Sequence, residues 1–267
     1  MLPPGDSSTT SRTLAPPTLR NAPEQREMAL TLGLAFFLNF AIGTLLEILH
    51  LRFGLVAAQI LFIAGPAMAA VRWFYLDPRI VLPLGFPGGR GFAAAILGTL
   101  GLNYLLNIIG SWQERVFPTP EVFRVFFSTQ FTYRSPLDFA GILITFAVVP
   151  ALCEEILFRG FLQSGLVRLF ESRTVGVAIT ALVFALFHLD PWRFTGILLL
   201  GLFLGALAQS TGSLLPGMLA HALNNALSIT LASWAGPDGE VPVSIAAAGL
   251  ALLLILLASA LLRRTRT

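Results

Sequence analysis

The sequence of 267 residues has few charged residues, a single cysteine and no lysine. Only 12% of its residues are charged, whereas a soluble domain carries roughly 25%. This low charge, together with 55% hydrophobic residues, excludes an ordinary soluble domain and predicts a polytopic membrane protein. The single cysteine, Cys153, excludes an intrachain disulfide framework and a cysteine-rich metal site, so we interpret it as a small packing residue.

The two ends of the chain lack apolar runs. Residues 1–27 contain no short apolar region of the kind found in a signal peptide, and they are rich in Pro, Ser and Thr. This composition predicts a disordered cytoplasmic N-terminal tail. Residues 263–267 form a short basic C-terminal tail, which leaves residues 28–262 as a membrane-embedded helical domain.

The apolar runs predict an all-α fold, a polytopic membrane helix bundle of about eight transmembrane helices. Residues 111–137 mix aromatic side chains with charges and prolines, so we interpret them as an interfacial loop or helix. The sequence "GLFLG" at 201–205 is a GxxxG pattern, which allows close helix packing. The predicted spans are 28–50, 53–76, 91–110, 138–160, 174–190, 194–210, 213–234 and 243–262.

All 17 basic residues are arginines, and their distribution predicts the orientation of the chain. With the N-terminus inside, eleven arginines fall on the inner side and five on the outer side, while Arg159 lies within a span. An excess of positive charge on the inner side places both termini in the cytoplasm, and we expect the plasma (inner) membrane. In this interpretation the arginines determine the orientation of the chain in the membrane, and they give no indication of nucleic-acid binding.

Three charged residues interrupt the apolar sequence in "ALCEEILFRGFL", residues 151–162. A charge at the centre of a membrane helix costs about 2.5–3.5 kcal/mol, so each of these residues needs a partner. Glu155 and Arg159 are four residues apart and are predicted to pair on one helix face. Glu154 points about 100° away, which leaves one carboxylate uncommitted. Alternatively, the span ends at Cys153 and the charges belong to the interface.

Two histidines accompany these charges. His221 lies near the middle of the seventh predicted span, followed by Asn224 and Asn225 on the same face, and His188 closes the fifth span. Either histidine alone has an ordinary interpretation, as a helix-packing hydrogen bond for His221 or an interface residue for His188. We interpret the third histidine, His50, as an interface residue.

Counting residues along the predicted hairpins places these groups at a similar depth. Glu154 and His188 are each 17 residues from Glu171, the turn between the fourth and fifth spans. His221 lies nine residues after the next turn on that side, at Gly212. His221 lies at the same depth as Glu154 and His188 if the hairpin of the fourth and fifth spans projects about 12 Å from the membrane. At that depth, however, the loop at 190–193 would not reach the outer surface.

A carboxylate, two imidazoles and an amide in one membrane cavity suit the activation of water. Glu154 could accept a proton from water and return it to a leaving amine. His188 and His221 could hold a divalent metal ion, typically zinc, or act directly on water and substrate. Asn225 could donate its amide to a developing oxyanion. Because no serine or cysteine lies in a nucleophile pattern, activated water is favoured over an acyl-enzyme.

Three motifs together resemble those of the CAAX protease and bacteriocin-processing family of intramembrane proteases. The motif EExxxR is matched by "EEILFR" at 154–159, FxxxH by "FALFH" at 184–188, and HxxxN by "HALNN" at 221–225. Each pattern alone is weak, but their order in a polytopic chain makes the combination specific. The resemblance covers about residues 138–234, which we expect to form the catalytic core.

The resemblance implies peptide-bond hydrolysis in the membrane. Glu154 would be the base, with His188, His221 and Asn225 around the attacked carbonyl group, and Glu155 would be a second polar ligand or the partner of Arg159. The family is commonly labelled as metalloproteases, although a metal-free glutamate mechanism has also been proposed for it. A zinc site would use Glu154, His188 and His221. The expected substrate is a membrane protein or a lipidated peptide within the lipid bilayer.

Two other functions fit the composition. A catalytically silent scaffold or immunity protein would be expected to lose motif residues, yet all of them are present. A proton-coupled transporter could use Glu154 and the histidines as a relay, but transporters usually carry broken helices in both halves. Here the polar groups are confined to the second half, and Glu47 is the only comparable acid in the first.

Overall fold

The computed structural model describes residues 18–235 and 244–263, and these residues form a bundle of ten helices. They contain no β-strand, only an isolated bridge between Arg20 and Leu76. The predicted all-α membrane bundle is therefore confirmed. The helices are α1 Gln25–Leu49, α2 Leu51–Trp73, α3 Pro78–Val81, α4 Gly89–Val116, α5 Glu121–Gln130, α6 Pro136–Leu169, α7 Arg173–Phe187, α8 Phe194–Thr211, α9 Leu215–Ala235 and α10 Ile245–Arg263.

Each of the eight predicted spans coincides with a helix, but the helices differ in their capacity to cross a membrane. Six of those described, α1, α2, α4, α6, α8 and α10, are long and apolar enough to do so, which makes the chain an integral membrane protein. Helix α7 has 15 residues and is about 22 Å long, whereas a hydrocarbon core is about 30 Å thick. The number of eight crossings therefore stays a prediction.

The chain immediately before α1 is folded, which corrects part of the predicted disordered tail. The backbone N–H of Arg20 donates to the carbonyl of Tyr75 at 2.9 Å, and that of Asp77 donates to the carbonyl of Arg20 at 2.8 Å. These bonds attach residues 18–24 to the end of α2, and α1 begins at Gln25. The rest of that tail, residues 1–17, and residues 264–267 of the predicted basic tail lie outside the described residues.

The segment predicted as interfacial, residues 111–137, contains the end of α4 and the separate helix α5. Apolar side chains of α5 such as Val122 and Val125 are largely exposed, as an interfacial helix requires.

Helix α6 occupies the centre of the bundle. Its residues Leu157 and Phe158 pack in the largest buried cluster with side chains of α1, α2 and α7, including Ala67 and Phe184. Cys153 is buried in the same cluster, in agreement with its predicted packing role. Because protein rather than lipid covers α6 here, charged side chains can be placed on it away from the hydrocarbon.

The GxxxG pattern brings α8 close to α6 and α7. A Cβ atom on Gly205 would lie 2.7 Å from Oε1 of Gln163 in α6 and 2.9 Å from Cγ1 of Val177 in α7. In addition, Nε2 of Gln163 donates to the carbonyl oxygen of Gly205 at 3.2 Å. The pattern therefore serves helix packing, as predicted.

We expect Gly205→Ala to lower the free energy of unfolding by about 1–3 kcal/mol, the usual cost of overpacking. Gly196→Ala in the same helix is the matched control, because no atom lies within 4 Å of the added Cβ. Thermal unfolding of both variants in one detergent measures the difference. Equal stability of the two variants would show that the close approach of α8 to α6 and α7 does not contribute to the free energy of unfolding.

Candidate active site

The predicted ion pair between Glu155 and Arg159 is present. Nη1 of Arg159 donates to Oε1 of Glu155 at 2.8 Å, and both side chains are 0% exposed. Nη2 of Arg159 donates to the carbonyl of Gly201 at 3.2 Å, and the guanidinium lies 4.2 Å from the ring centre of Phe184. A carboxylate, a carbonyl and an aromatic face thus replace the water that the cation has lost.

A change in helix geometry separates the two glutamates. Glu154 ends an α-helical part of α6, and Glu155 begins the π-helical stretch Glu155–Leu162. Short π-helical insertions occur frequently at functional sites. Glu154 and Glu155 have different partners, so one carboxylate is bound to Arg159 and the other is not, as the helical spacing predicted.

Glu154 faces both histidines of the motifs. Its Oε2 is 3.9 Å from Nε2 of His188 and 3.8 Å from Nε2 of His221. These distances exceed that of a hydrogen bond, but a single water could bond to Oε2 and to a ring nitrogen at about 2.8 Å each. This oxygen is buried and has no hydrogen-bond partner among the described residues. The three side chains are therefore close together, as the predicted hairpins require, and their shared depth in a membrane stays a prediction.

Hydrogen bonds determine which nitrogen of each imidazole carries a hydrogen. Nδ1 of His188 is 2.7 Å from the carbonyl of Phe184, and Nδ1 of His221 is 3.1 Å from Oε1 of Glu155. A carbonyl and a carboxylate can only accept, so both Nδ1 atoms donate. When neutral, both imidazoles therefore present an Nε2 lone pair, and each Nε2 lies within 4 Å of Glu154 Oε2.

Phe184 and Gly217 hold the histidines in place. The Phe184 ring packs edge-on against His188 and His221, with ring centres 4.6 and 5.7 Å away. One turn before His221, a Cβ atom on Gly217 would lie 3.0 Å from Oε2 of Glu155. A glycine at this position lets α9 approach α6 closely enough for His221 to reach both glutamates.

Asn225 lies one helical turn after His221 and is half-buried. Its Oδ1 accepts a hydrogen bond from Nδ2 of Asn224 at 3.4 Å, which does not use its own NH₂ group. Asn224 faces α4, where Nδ2 of Asn103 donates to its Oδ1 at 3.1 Å. The fold thus brings Glu154, His188 and His221 together and places Asn225 a turn further along α9.

The loop that follows His188 is held by α4 and α5. Nε2 of Gln113 donates to the carbonyl of Trp192 at 2.7 Å, and the Trp192 ring packs 5.0 Å from the Phe123 ring. Helix α7 ends at Phe187, so His188 lies where helix gives way to loop. The distance of the 190–193 loop from the membrane surface stays a prediction.

Glu154, His188 and His221 have the donor chemistry of a zinc site, since both Nδ1 atoms are bonded to oxygen and both Nε2 atoms are available. Their separations of 3.8 and 3.9 Å are wider than the roughly 3.3 Å between ligands of a tetrahedral zinc site. Among residues 18–235 and 244–263, no group of three or more His, Cys, Asp or Glu is arranged to hold a metal ion. The zinc ion therefore stays a prediction.

Gln59 of α2 is a site residue that sequence reasoning missed. Its Nε2 donates to Oε1 of Glu154 at 3.0 Å. The signal was an amide side chain within the apolar run "LVAAQILFIAG", since polar residues inside membrane spans often mark functional sites.

The site combines a buried carboxylate with two imidazoles inside a multi-pass helical bundle. These features indicate the class of protein: a membrane protein with the polar groups of a hydrolase. Residues 136–227 match the family model described as "Rce1-like: Type II CAAX prenyl endopeptidase Rce1-like". The match covers α6, α7, α8 and most of α9 and includes all three motifs, so this part of the chain is similar to the CAAX prenyl endopeptidases. The predicted family is confirmed, and it supports a protease activity. Comparisons with curated proteins and with solved structures gave no match.

Proposed function

We propose that the protein is an intramembrane endopeptidase that hydrolyses a peptide bond with a water molecule activated by Glu154. The observation that carries the proposal is the position of Glu154 Oε2, which is buried and nearly equidistant from Nε2 of His188 and of His221. A water molecule between Oε2 and the two imidazoles can donate one hydrogen to Oε2 and the other to an Nε2 atom. Its oxygen lone pairs are then free to attack a carbonyl carbon. The CAAX protease domain supports this reaction class.

Glu154 acts first as a general base and then as a general acid. It accepts one proton as the water oxygen bonds to the carbonyl carbon, while a histidine Nε2 orients the water by accepting its other hydrogen. Protonated Glu154 then returns the proton to the nitrogen of the leaving amine as the peptide bond breaks. Proton acceptance and return by the same carboxylate leave the enzyme unchanged after each turnover.

Asn225 supplies the hydrogen bond to the oxyanion in this mechanism. The neutral imidazoles present lone pairs rather than N–H groups to the site, so they cannot donate to the developing negative charge. The Asn225 NH₂ group can do so, because its hydrogen bond with Asn224 uses only the Asn225 oxygen.

Glu155 and Arg159 orient His221 rather than react. Oε1 of Glu155 accepts from both Arg159 and His221, so it fixes the imidazole while its charge is balanced by the guanidinium. Glu155 is thus the partner of Arg159, one of the two roles that the resemblance left open, and it also bonds to His221.

We expect His188→Ala and His221→Ala each to lower the rate of peptide cleavage by about 10²-fold or more, because each removes an acceptor that orients the water. The exposed His50, at the junction of α1 and α2, provides the matched control His50→Ala. Cleavage of a membrane peptide by protein in liposomes measures the rate. Normal cleavage by both site variants would disprove the proposed reaction.

The predicted zinc ion would be held by Glu154, His188 and His221, and it would polarise the carbonyl group and make water more acidic. Elemental analysis of chelator-treated protein, together with its cleavage rate and thermal unfolding, tests this prediction. Zinc that raises the unfolding temperature of the wild type but not of His188→Ala would support a site there. Full activity without bound metal would remove the zinc from the mechanism.

We further propose that the substrate is a membrane protein or a lipidated peptide, cleaved in the plasma (inner) membrane, with both termini of the enzyme in the cytoplasm. The site lies inside a bundle of apolar helices, so we expect the substrate to enter it from the bilayer. The distribution of arginines, eleven against five, supports the orientation. Reporter domains fused to each terminus test it, and a periplasmic or extracellular signal from either end would reverse it.

A further inference from the structure

Gln59 and Glu154 form an amide–carboxylate contact between α2 and α6. The 3.0 Å hydrogen bond from Nε2 of Gln59 engages Oε1 of Glu154, whereas Oε2 faces the two imidazoles. Glu154 as a whole is only 8% exposed, so bulk water has little access to either oxygen. The two oxygens of one carboxylate thus have different surroundings, and Gln59 is the residue that distinguishes them.

The position of Gln59 is fixed by packing. It begins the π-helical stretch Gln59–Ala64 of α2, in which Ile63 and Ala64 are buried in the same cluster as Cys153, the neighbour of Glu154. Since Gln59 and Cys153 lie on helices that share this core, packing keeps the backbone of Gln59 within side-chain reach of Glu154.

The orientation of the amide follows from the charge of its partner. With its oxygen turned toward ionised Glu154, two acceptors would face each other at the distance of a hydrogen bond, so the NH₂ group must point there. A partial rotation of the Glu154 carboxylate would break this bond, whereas a half-turn would only exchange two equivalent oxygens. The amide therefore holds Oε1 and keeps Oε2 between His188 and His221.

The contact differs from ordinary polar packing between membrane helices. Gln163, also buried, donates to the backbone carbonyl of Gly205, a bond that joins α6 to α8. Gln59 instead donates to a side chain of the site. The Oε1 atoms of Gln59 and Gln163 are both buried without a hydrogen-bond partner among the described residues, so the two amides differ in the group to which each NH₂ donates. The acceptor, a carboxylate of the site rather than a backbone carbonyl, distinguishes Gln59 from Gln163.

We propose that Gln59 is a positioning residue that assigns the two oxygens of Glu154 their roles, an inference that rests on the proposed function. By occupying Oε1 it makes Oε2, beside the imidazoles, the oxygen that takes the proton from water and returns it to the leaving amine. Gln59 acts through Glu154 and requires no contact with the substrate.

The test is the steady-state kinetics of Gln59→Met, which keeps an unbranched side chain of similar length without the donor. We expect kcat to fall by about 10- to 100-fold, the range for losing a hydrogen bond to a charged group. KM should stay within about twofold, because the substrate does not touch Gln59, a pattern typical of lost transition-state interactions. Gln163→Met is the matched control, expected to lower the unfolding temperature without lowering kcat at temperatures where it is folded.

Gln59→Asn provides a second variant, since it keeps the amide but shortens its reach by one methylene. We expect the same loss of kcat, and this variant decides the question if Gln59→Met does not fold. Unchanged kcat in the folded variants, or a rise of KM with unchanged kcat, would overturn the role of Gln59 while cleavage by the wild type upheld the proposed function. Absence of cleavage by the wild type would remove both.

Discussion

Glu154→Gln is expected to lower the rate of peptide cleavage by about 10²- to 10⁴-fold, the contribution of a general acid–base group. The amide has the shape of the carboxylate and can still accept the hydrogen bond from Gln59, so the site should keep its packing. It cannot take a proton from water, because an amide oxygen is too weak a base. Cleavage of a membrane peptide in liposomes, with the unfolding temperature as a check on folding, measures the effect.

Glu47→Gln is the matched control for this substitution. Glu47 is a half-buried acid in α1, outside the Glu–His–His site, so its replacement should leave the cleavage rate within about twofold, a change too small for an acid–base role. A comparable loss in both variants would point to a general effect of removing a membrane acid. Undiminished cleavage by Glu154→Gln would exclude Glu154 as the base.

Arg159→Met is expected to lower the free energy of unfolding by about 3–5 kcal/mol, the cost of breaking a buried ion pair. Glu155 would remain fully buried without its cation, and the carbonyl of Gly201 would lose its donor. The substitution keeps an unbranched side chain, so lost packing against Phe184 is a small part of the effect. Thermal or denaturant unfolding in detergent measures the change.

The double variant Glu155→Gln, Arg159→Met separates charge from packing, because it removes both members of the pair. It should be more stable than Arg159→Met alone, since no uncompensated charge is left in the core.

Glu121→Gln breaks an exposed ion pair with Arg124 and should cost about 0–1 kcal/mol. If Arg159→Met were no more harmful than Glu121→Gln, the pair would not be the structural element described above.

Local spacing predicted the part of the site that lies within single helices and hairpins. The interval of four residues between Glu155 and Arg159 was enough to predict their ion pair, because one helix determines both positions. The proximity of Glu154, His188 and His221 agrees with the residue counts to the turns at Glu171 and Gly212. The three motifs also identified the family, which the match over residues 136–227 confirms.

Contacts between distant segments could not be predicted in this way. Gln59 and Glu154 are 95 residues apart, and only the packing of α2 on α6 brings them together. The hydrogen positions on the imidazoles depend on the carbonyl of Phe184 and on Glu155, which requires the assembled bundle. Likewise, hydrophobicity placed the end of the fifth predicted span at residue 190, although the helix ends at Phe187.

The most direct test of the central claim is an inventory of peptide termini in membranes from cells that produce either the wild type or Glu154→Gln at equal levels. If the protein is an intramembrane endopeptidase that depends on Glu154, at least one membrane or lipidated protein will show a new terminus with the wild type and none with the variant. Identical sets of termini in the two membranes would contradict the account.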